Sequence, residues 1–228
     1  MVDSRLALMQ LSDSFFPSGS FTLSHGLEAM VQTNRIRSAQ DVEAFLQLLL
    51  HNKVGRSDLI ALIHAYRASS ANDLSEIRRA DQQLYAQTLI QATREAQCRS
   101  GQALLLVAQS TWNDAQLVAF QEDIDTHNTP GLHPIVFAMV GRAVHLSERD
   151  TSFAFLHSFV TGLVGAAIRL GVLGHLGAQS ILYKMALEIE AIATQASALS
   201  LEDMWSCTPA IDIAQMSHQR LVSKQFST

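Results

Sequence analysis

Apolar residues recur along the chain at three- and four-residue intervals, and no run alternates as a strand would, so the pattern predicts an all-α protein. Val42, Phe45, Leu46 and Leu49 form one stripe behind Ser38 and Asp41, an N-cap residue followed by an acid in the first turn. Gly55 is expected to end that helix. Ser57 and Asp58 then open the next, whose stripe is Leu59, Leu62, Ile63 and Tyr66. The longest helical pattern runs from Ser75 to about Gln109. Gly101 inside it costs about 1 kcal/mol against alanine, which marks either a helix junction or close packing by another backbone. A shorter helix in DAQLVAFQED leads to the loop THNTPGLHP, and Pro134 suits the first turn of PIVFAMVGRAVHL. An apolar helix over residues 153 to 177 breaks near Gly171 and Gly174, and AQSILYKMALEIEAIATQASAL follows it.

Two stretches depart from the pattern. LMQLSDSFFPSGSFTLSHGLEAMV, residues 8 to 31, begins as a helix, turns, and starts a second helix. Phe15 and Phe16 stand before Pro17, and Phe21 follows Gly19, so the break is apolar and something must cover it. The end, CTPAIDIAQMSHQRLVSKQFST, has few apolar anchors in Ile211, Ile213 and Leu221. Ordering backbone costs about 1 to 2 kcal/mol per residue, so this tail is expected to be mobile alone and ordered by a partner. The expected fold is a single-domain compact bundle of about eight to ten helices over residues 1–208, with a flexible C-terminal tail over 209–228.

Composition narrows the function classes. A chain of 228 residues buries about 70 to 75% of its unfolded surface, so no disulfide or structural metal is required. Charged residues make up 16%, below the roughly 25% of soluble domains, which leaves room for an apolar partner surface or a large core under Ser and Gln. Net charge is −5 with both signs interspersed, so nucleic acid is not an expected partner. Cys98 and Cys207 are far apart with no CxxC, and the first residues lack a signal-peptide pattern, so a cytoplasmic location is expected. His157, Arg169 and His175 interrupt the apolar stretch 153–177, and a mid-membrane arginine costs at least roughly 2.5 to 3.5 kcal/mol. That stretch is expected as a buried helix and no membrane as a partner.

Nine histidines raise the question of metal binding, yet none form HExxH. His127 and His133 flank NTPGL in one loop and are the only weak metal candidates; His64, His145 and His157 fall in helical patterns as core or boundary residues. There is no GxSxG and no GxxxxGK[ST], and Glu188 with Glu190 or Glu122 with Asp123 do not share a helix face. No catalytic residue and no stably bound cofactor are expected. Polar residues in apolar, glycine-marked surroundings stand out instead. Glu28 is either a first-turn acid or a partner contact, and Arg169 either a snorkelling arginine or a partner contact.

Five segments in order, the opening LMQLSDSFFPSGSFTLSHGLEAMV, then REAQCRSGQALL, HPIVFAMV, AAIRLGVLG and PAIDIAQMSHQRLVSKQF, resemble the urease accessory protein UreF family over nearly the whole chain. The resemblance implies a non-catalytic, all-α scaffold that helps insert nickel into urease. It implies a homodimer that binds the UreD (or UreH) accessory protein and through it recruits and regulates the GTPase UreG. Nickel is then handled by the complex, which also reaches the urease apoprotein. The positions expected to bind partners are Phe15, Phe16, Pro17, Gly19 and Phe21 in the break, Glu28 and Arg169, and Ile211, Ile213, His218, Lys224 and Phe226 in the tail. The chain departs from the family pattern at His25, His175, Gln219, Lys224 and Gln225. The alternative is a helical enzyme or small-ligand protein with a pocket near residues 157–177 and His157. It predicts a buried, concave polar cluster, whereas a scaffold predicts polar residues on an exposed face.

Overall fold

The computed structural model describes residues 3–13, 16 and 22–227. Among them there is no strand, as the three- and four-residue spacing predicts. The elements are α1 (Ser4–Ser12), α2 (Leu27–Gln32), α3 (Ala39–Leu49), a π-helical segment (Leu50–Asp58), α4 (Leu59–Ser70), α5 (Leu74–Gln87) and α6 (Gln91–Thr111). After them come α7 (Ala115–Asp125), α8 (His133–Ala143), α9 (Glu148–Arg169), α10 (His175–Ala196), a 3₁₀ turn (Leu201–Asp203) and α11 (Pro209–His218).

The centre of the bundle is the pair α4 and α8. Residues 59 to 63 and 134 to 141 are buried without interruption, so both helices are apolar on all sides and must be covered on all sides. Helices α5 and α9 cover α4, and α6 and α9 cover α8; α10 and α1 lie on α9, and α3 on α10. The apolar stretch after residue 148 is thus a core helix, with 56% of its most apolar window buried inside the protein.

The first helical pair differs from expectation. Ser38 and Asp41 form the predicted cap, each side chain bonding the other's backbone N–H, but Gly55 does not end the helix. The chain runs on as one rod from Ala39 to Ser70 with a π segment in its middle. Glycine is required there by packing: a Cβ at Gly55 would lie 2.5 Å from Ile192 Cγ2 and 2.7 Å from the Leu50 carbonyl. The i to i+5 repeat of a π turn brings Lys53 and Asp58 together, 3.4 Å apart and both buried.

Gly101 is also a packing glycine, since a Cβ there would stand 2.0 Å from the Gly131 carbonyl. The helix junction lies upstream at Thr88–Ile90, where Arg94 Nη1 donates to the Thr88 carbonyl at 2.6 Å. The loop that meets Gly101 is fixed by Asp81, whose buried carboxylate accepts from Thr129 Oγ1, Gly131 N–H and Leu132 N–H at 2.6–2.9 Å. Burial pushes the Asp81 carboxyl upward, and these three donors oppose that shift.

Candidate functional site

Residues 209–227 pack against the body of the chain. Helix α11 starts with Pro209 in its first turn and turns Ile211, Ala214, Gln215 and His218 inward at i, i+3, i+4 and i+7. It lies on α2 and the start of α6. The approach to α2 is tight because Gly26, at φ 87, lets Gln215 and the Ile211 carbonyl come within 3.3 Å of where a Cβ would be. Gln215 is anchored on both sides. Its Oε1 accepts from Thr93 Oγ1 at 2.5 Å and its Nε2 donates to the His25 carbonyl at 3.4 Å.

Glu28 is the centre of this contact. It is 1% exposed, in the first turn of α2. Its carboxylate accepts Gln225 N–H at 2.7 Å and Phe226 N–H at 3.3 Å, and pairs with His218 Nε2 at 2.7 Å. Two backbone donors of a non-helical segment are satisfied by one side chain nearly 200 positions earlier in sequence. Phe226 is buried beneath Arg169, whose guanidinium lies 4.4 Å from the ring centroid, and Ser227 bonds Thr22. A cation over an aromatic face adds about 0.5 to 1 kcal/mol at exposed sites.

The outer face of the same unit is different in character. Leu89 (75% exposed), Ile213 (61%) and Met216 (59%) line a groove of about 480 Å³ together with Arg220. Residues 213 to 227 contain Arg220 and Lys224 and no acid, in a chain whose net charge is −5. An apolar strip with a cationic rim is therefore presented by the docked tail.

The expected positions divide accordingly. Ile213, Lys224 and Arg169 are exposed, Arg169 with its guanidinium over the Phe226 ring. Glu28, Ile211, His218 and Phe226, expected at a partner surface, are buried inside the chain itself. The physical reason is that the tail's anchors are largely polar groups matched to Glu28, Gln215 and Thr93, which a count of apolar residues overlooks. Phe16 is half-buried and stacks on Trp112 at 6.3 Å, while Phe15, Pro17, Gly19 and Phe21 lie outside the described residues. Gln215, Thr93 and Gly26 were not singled out from sequence; the i, i+3, i+4, i+7 spacing from Ile211 to His218 was the available signal.

A second polar cluster lines a small, partly open cavity. This cavity, of about 60 Å³, is lined by His25, Asp58, Gln97, Ser100, His133 and aromatic groups of α9. Burial lowers the His25 imidazole to about 3, helped by Lys53, and the His133 imidazole to about 4, so both rings are neutral. His133 does not meet His127, which is exposed in a left-handed turn at the end of α7. Among the described residues no three His, Cys, Asp or Glu side chains form a metal-holding group. His157 is not in this cavity; it lines an open groove with Leu8, Phe153 and Ala186.

The sequence profile of the UreF family matches residues 36–186. A urease accessory protein UreF from Trichodesmium erythraeum is 53% identical over 226 residues, covering 99% of this chain and 97% of that one. A urease accessory protein UreF from Actinobacillus pleuropneumoniae serotype 5b is 30% identical over 220 residues (96% and 97% covered), and urease accessory protein UreF 1 from Brucella melitensis biotype 1 is 30% identical over 213 (93% and 88%).

Proposed function

The chain belongs to the UreF family of urease accessory proteins, and on that premise we propose that it is a non-catalytic scaffold of urease maturation. In this reading it forms a homodimer in the cytoplasm and binds the UreD (UreH) accessory protein. Through that complex it recruits and regulates the GTPase UreG, so that nickel reaches the urease apoprotein by way of the assembly. The observation that carries the reading is the outward face of the docked tail. Ile213, Met216 and Leu89 hold apolar area in water with Arg220 beside them, the composition of an interface core with a charged rim. Glu28 and Arg169 act behind this face by holding the tail in place.

Deleting the tail after Ala210 is a blunt test, because it strips Ile211 and Phe226 from the core and leaves Glu28 buried without its donors. The double substitution Ile213→Asp with Met216→Asp changes only exposed positions. It should leave thermal unfolding unchanged and abolish co-purification with the UreD protein, with assembly mass read by light scattering. Retention of the complex by a folded double variant would remove this face from the interface.

A further inference from the structure

The small, partly open cavity has no part in the groove beside Ile213 and Met216, and four features mark it out. Its approximately 60 Å³ has room for a handful of waters or one molecule of about four heavy atoms. Gln97 Oε1 is buried at its edge without a hydrogen-bond partner. The imidazoles of His25 and His133 make only ring contacts, His25 with Phe159 and His133 with Phe137 and Phe155, and no hydrogen bond among the described residues. Finally, His25 has φ 51. Asn34, Asn72, His127 and His145 share that left-handed conformation just after helices, where it is common, whereas His25 adopts it ahead of α2.

The charges define what could enter. Lys53 and Asp58 already cancel one another at 3.4 Å, with Gln97 Nε2 donating to Asp58 at 3.2 Å. Both imidazoles are neutral and no Lys or Arg is among the described residues that line the cavity, so an anion would meet the Asp58 carboxylate with nothing there to offset it. A divalent cation lacks a three-donor set among the described residues. The remaining capacity is lone pairs on Gln97, Asp58 and the two rings, with one N–H on each ring, above an apolar wall of Phe155, Phe159 and Leu163.

We propose that this cavity is a binding site for a small uncharged molecule of about four heavy atoms, with N–H or O–H donors at one end and an apolar group at the other. The polar end meets His25, His133 and Gln97. The apolar end rests on Phe155 and Phe159. Burial keeps both imidazoles able to donate and accept, and the lack of hydrogen-bond partners among the described residues leaves those capacities for a guest.

The test uses the full chain with ¹⁵N-labelled histidine and three probes: acetamide, the isosteric anion acetate, and xenon. Acetamide should shift the His25 and His133 ring signals along a saturating curve in roughly the millimolar range, the scale that four heavy atoms allow. Acetate should leave them in place. His133→Phe keeps the ring and loses its nitrogens, so acetamide binding should weaken at least about tenfold while xenon still enters. Ser100→Leu should fill the space and exclude both, and if that variant does not fold, His133→Phe alone decides. The proposal is overturned by non-saturating acetamide shifts up to molar concentration, by acetate binding as tightly, or by unchanged affinity in folded His133→Phe.

Discussion

Glu28→Gln is the sharpest perturbation of the docked tail, since it keeps the side chain's length and changes only its charge and one acceptor. In the protein the two carboxylate oxygens serve His218 Nε2, Gln225 N–H and Phe226 N–H at 2.7, 2.7 and 3.3 Å. A hydrogen bond to a charged group contributes about 1.5 to 3 kcal/mol, and an amide NH₂ turned toward either backbone N–H leaves that donor unpaired. The three contacts share one carboxylate and so do not add, which puts the expected loss at about 3 kcal/mol rather than two or three times that. Because 1.4 kcal/mol is tenfold in an equilibrium constant, tail opening should become roughly a hundredfold more frequent. Amide hydrogen exchange reads this directly. Peptides from 209–227 should exchange about two orders of magnitude faster in the variant, while peptides from α4 and α8 change far less. Unchanged tail exchange would show that Glu28 does not hold the tail. An equal loss of protection in α4 and α8 would show that the tail does not open as a separate unit.

Three other outcomes follow from the same structure. Gly101→Ala should cost several kcal/mol, about 3 or more, because the new Cβ would lie 2.0 Å from a backbone carbonyl that cannot rotate away; a urea midpoint within experimental error of the parent would refute the packing role. Stability should fall between pH 7.5 and pH 5. Below about 6.5 the unfolded chain binds protons that neutral His25 and His133 refuse until about pH 3 and 4, so folding is increasingly opposed as pH drops toward those values. Each fully buried ring would lose about 2 kcal/mol by pH 5, and partial access through the cavity reduces the pair to about 2 kcal/mol in total. Urea unfolding at the two pH values measures the difference, which His25→Gln with His133→Phe should flatten. Arg169→Gln should speed exchange at Phe226 about threefold through loss of the cation–π contact, whereas Arg169→Lys should restore most of it; equal rates in all three chains would rule that contact out.

Much of the fold was legible because helices declare themselves locally. The Ser38 cap, the stripes of α3 and α4, the breaks at 171–174 and the Pro134 start all follow from spacing and capping chemistry. What sequence could not give was the partner across space that decides a glycine's role. Gly55 and Gly101 resemble helix punctuation until Ile192 and the Gly131 carbonyl are seen against them. The candidate site was half legible for a similar reason. Glu28 and the tail were each singled out, but their mutual contact joins positions 190 and more residues apart, and nothing periodic links them. Spacing pairs His133 with His127, but His127 is exposed in its turn and the imidazole that shares the cavity with His133 is His25, more than 100 residues earlier.

The π segment between α3 and α4 gives the chain an unusual relation to insertions and deletions. A residue lost from a surface loop shortens a connection, but a residue lost between Leu50 and Asp58 would let the rod tighten toward ordinary α geometry. Because a π turn holds one residue more than an α turn, that tightening offsets most of the rotation the deletion removes, and everything from Leu59 onward would keep nearly its present phase relative to α3. Helix α4 would keep its packing, and a loss between Lys53 and Asp58 would leave that pair at i and i+4, still on one face, so the change would fall on the carbonyls of Asn52 and Arg56 and the Cys207 and Trp205 N–H groups they now accept. The segment works as a slack turn: it can give up one residue while the angular phase between the two halves of the bundle is nearly kept, so a single-residue gap should be better tolerated here than inside α4, where it would rotate all that follows by about 100°.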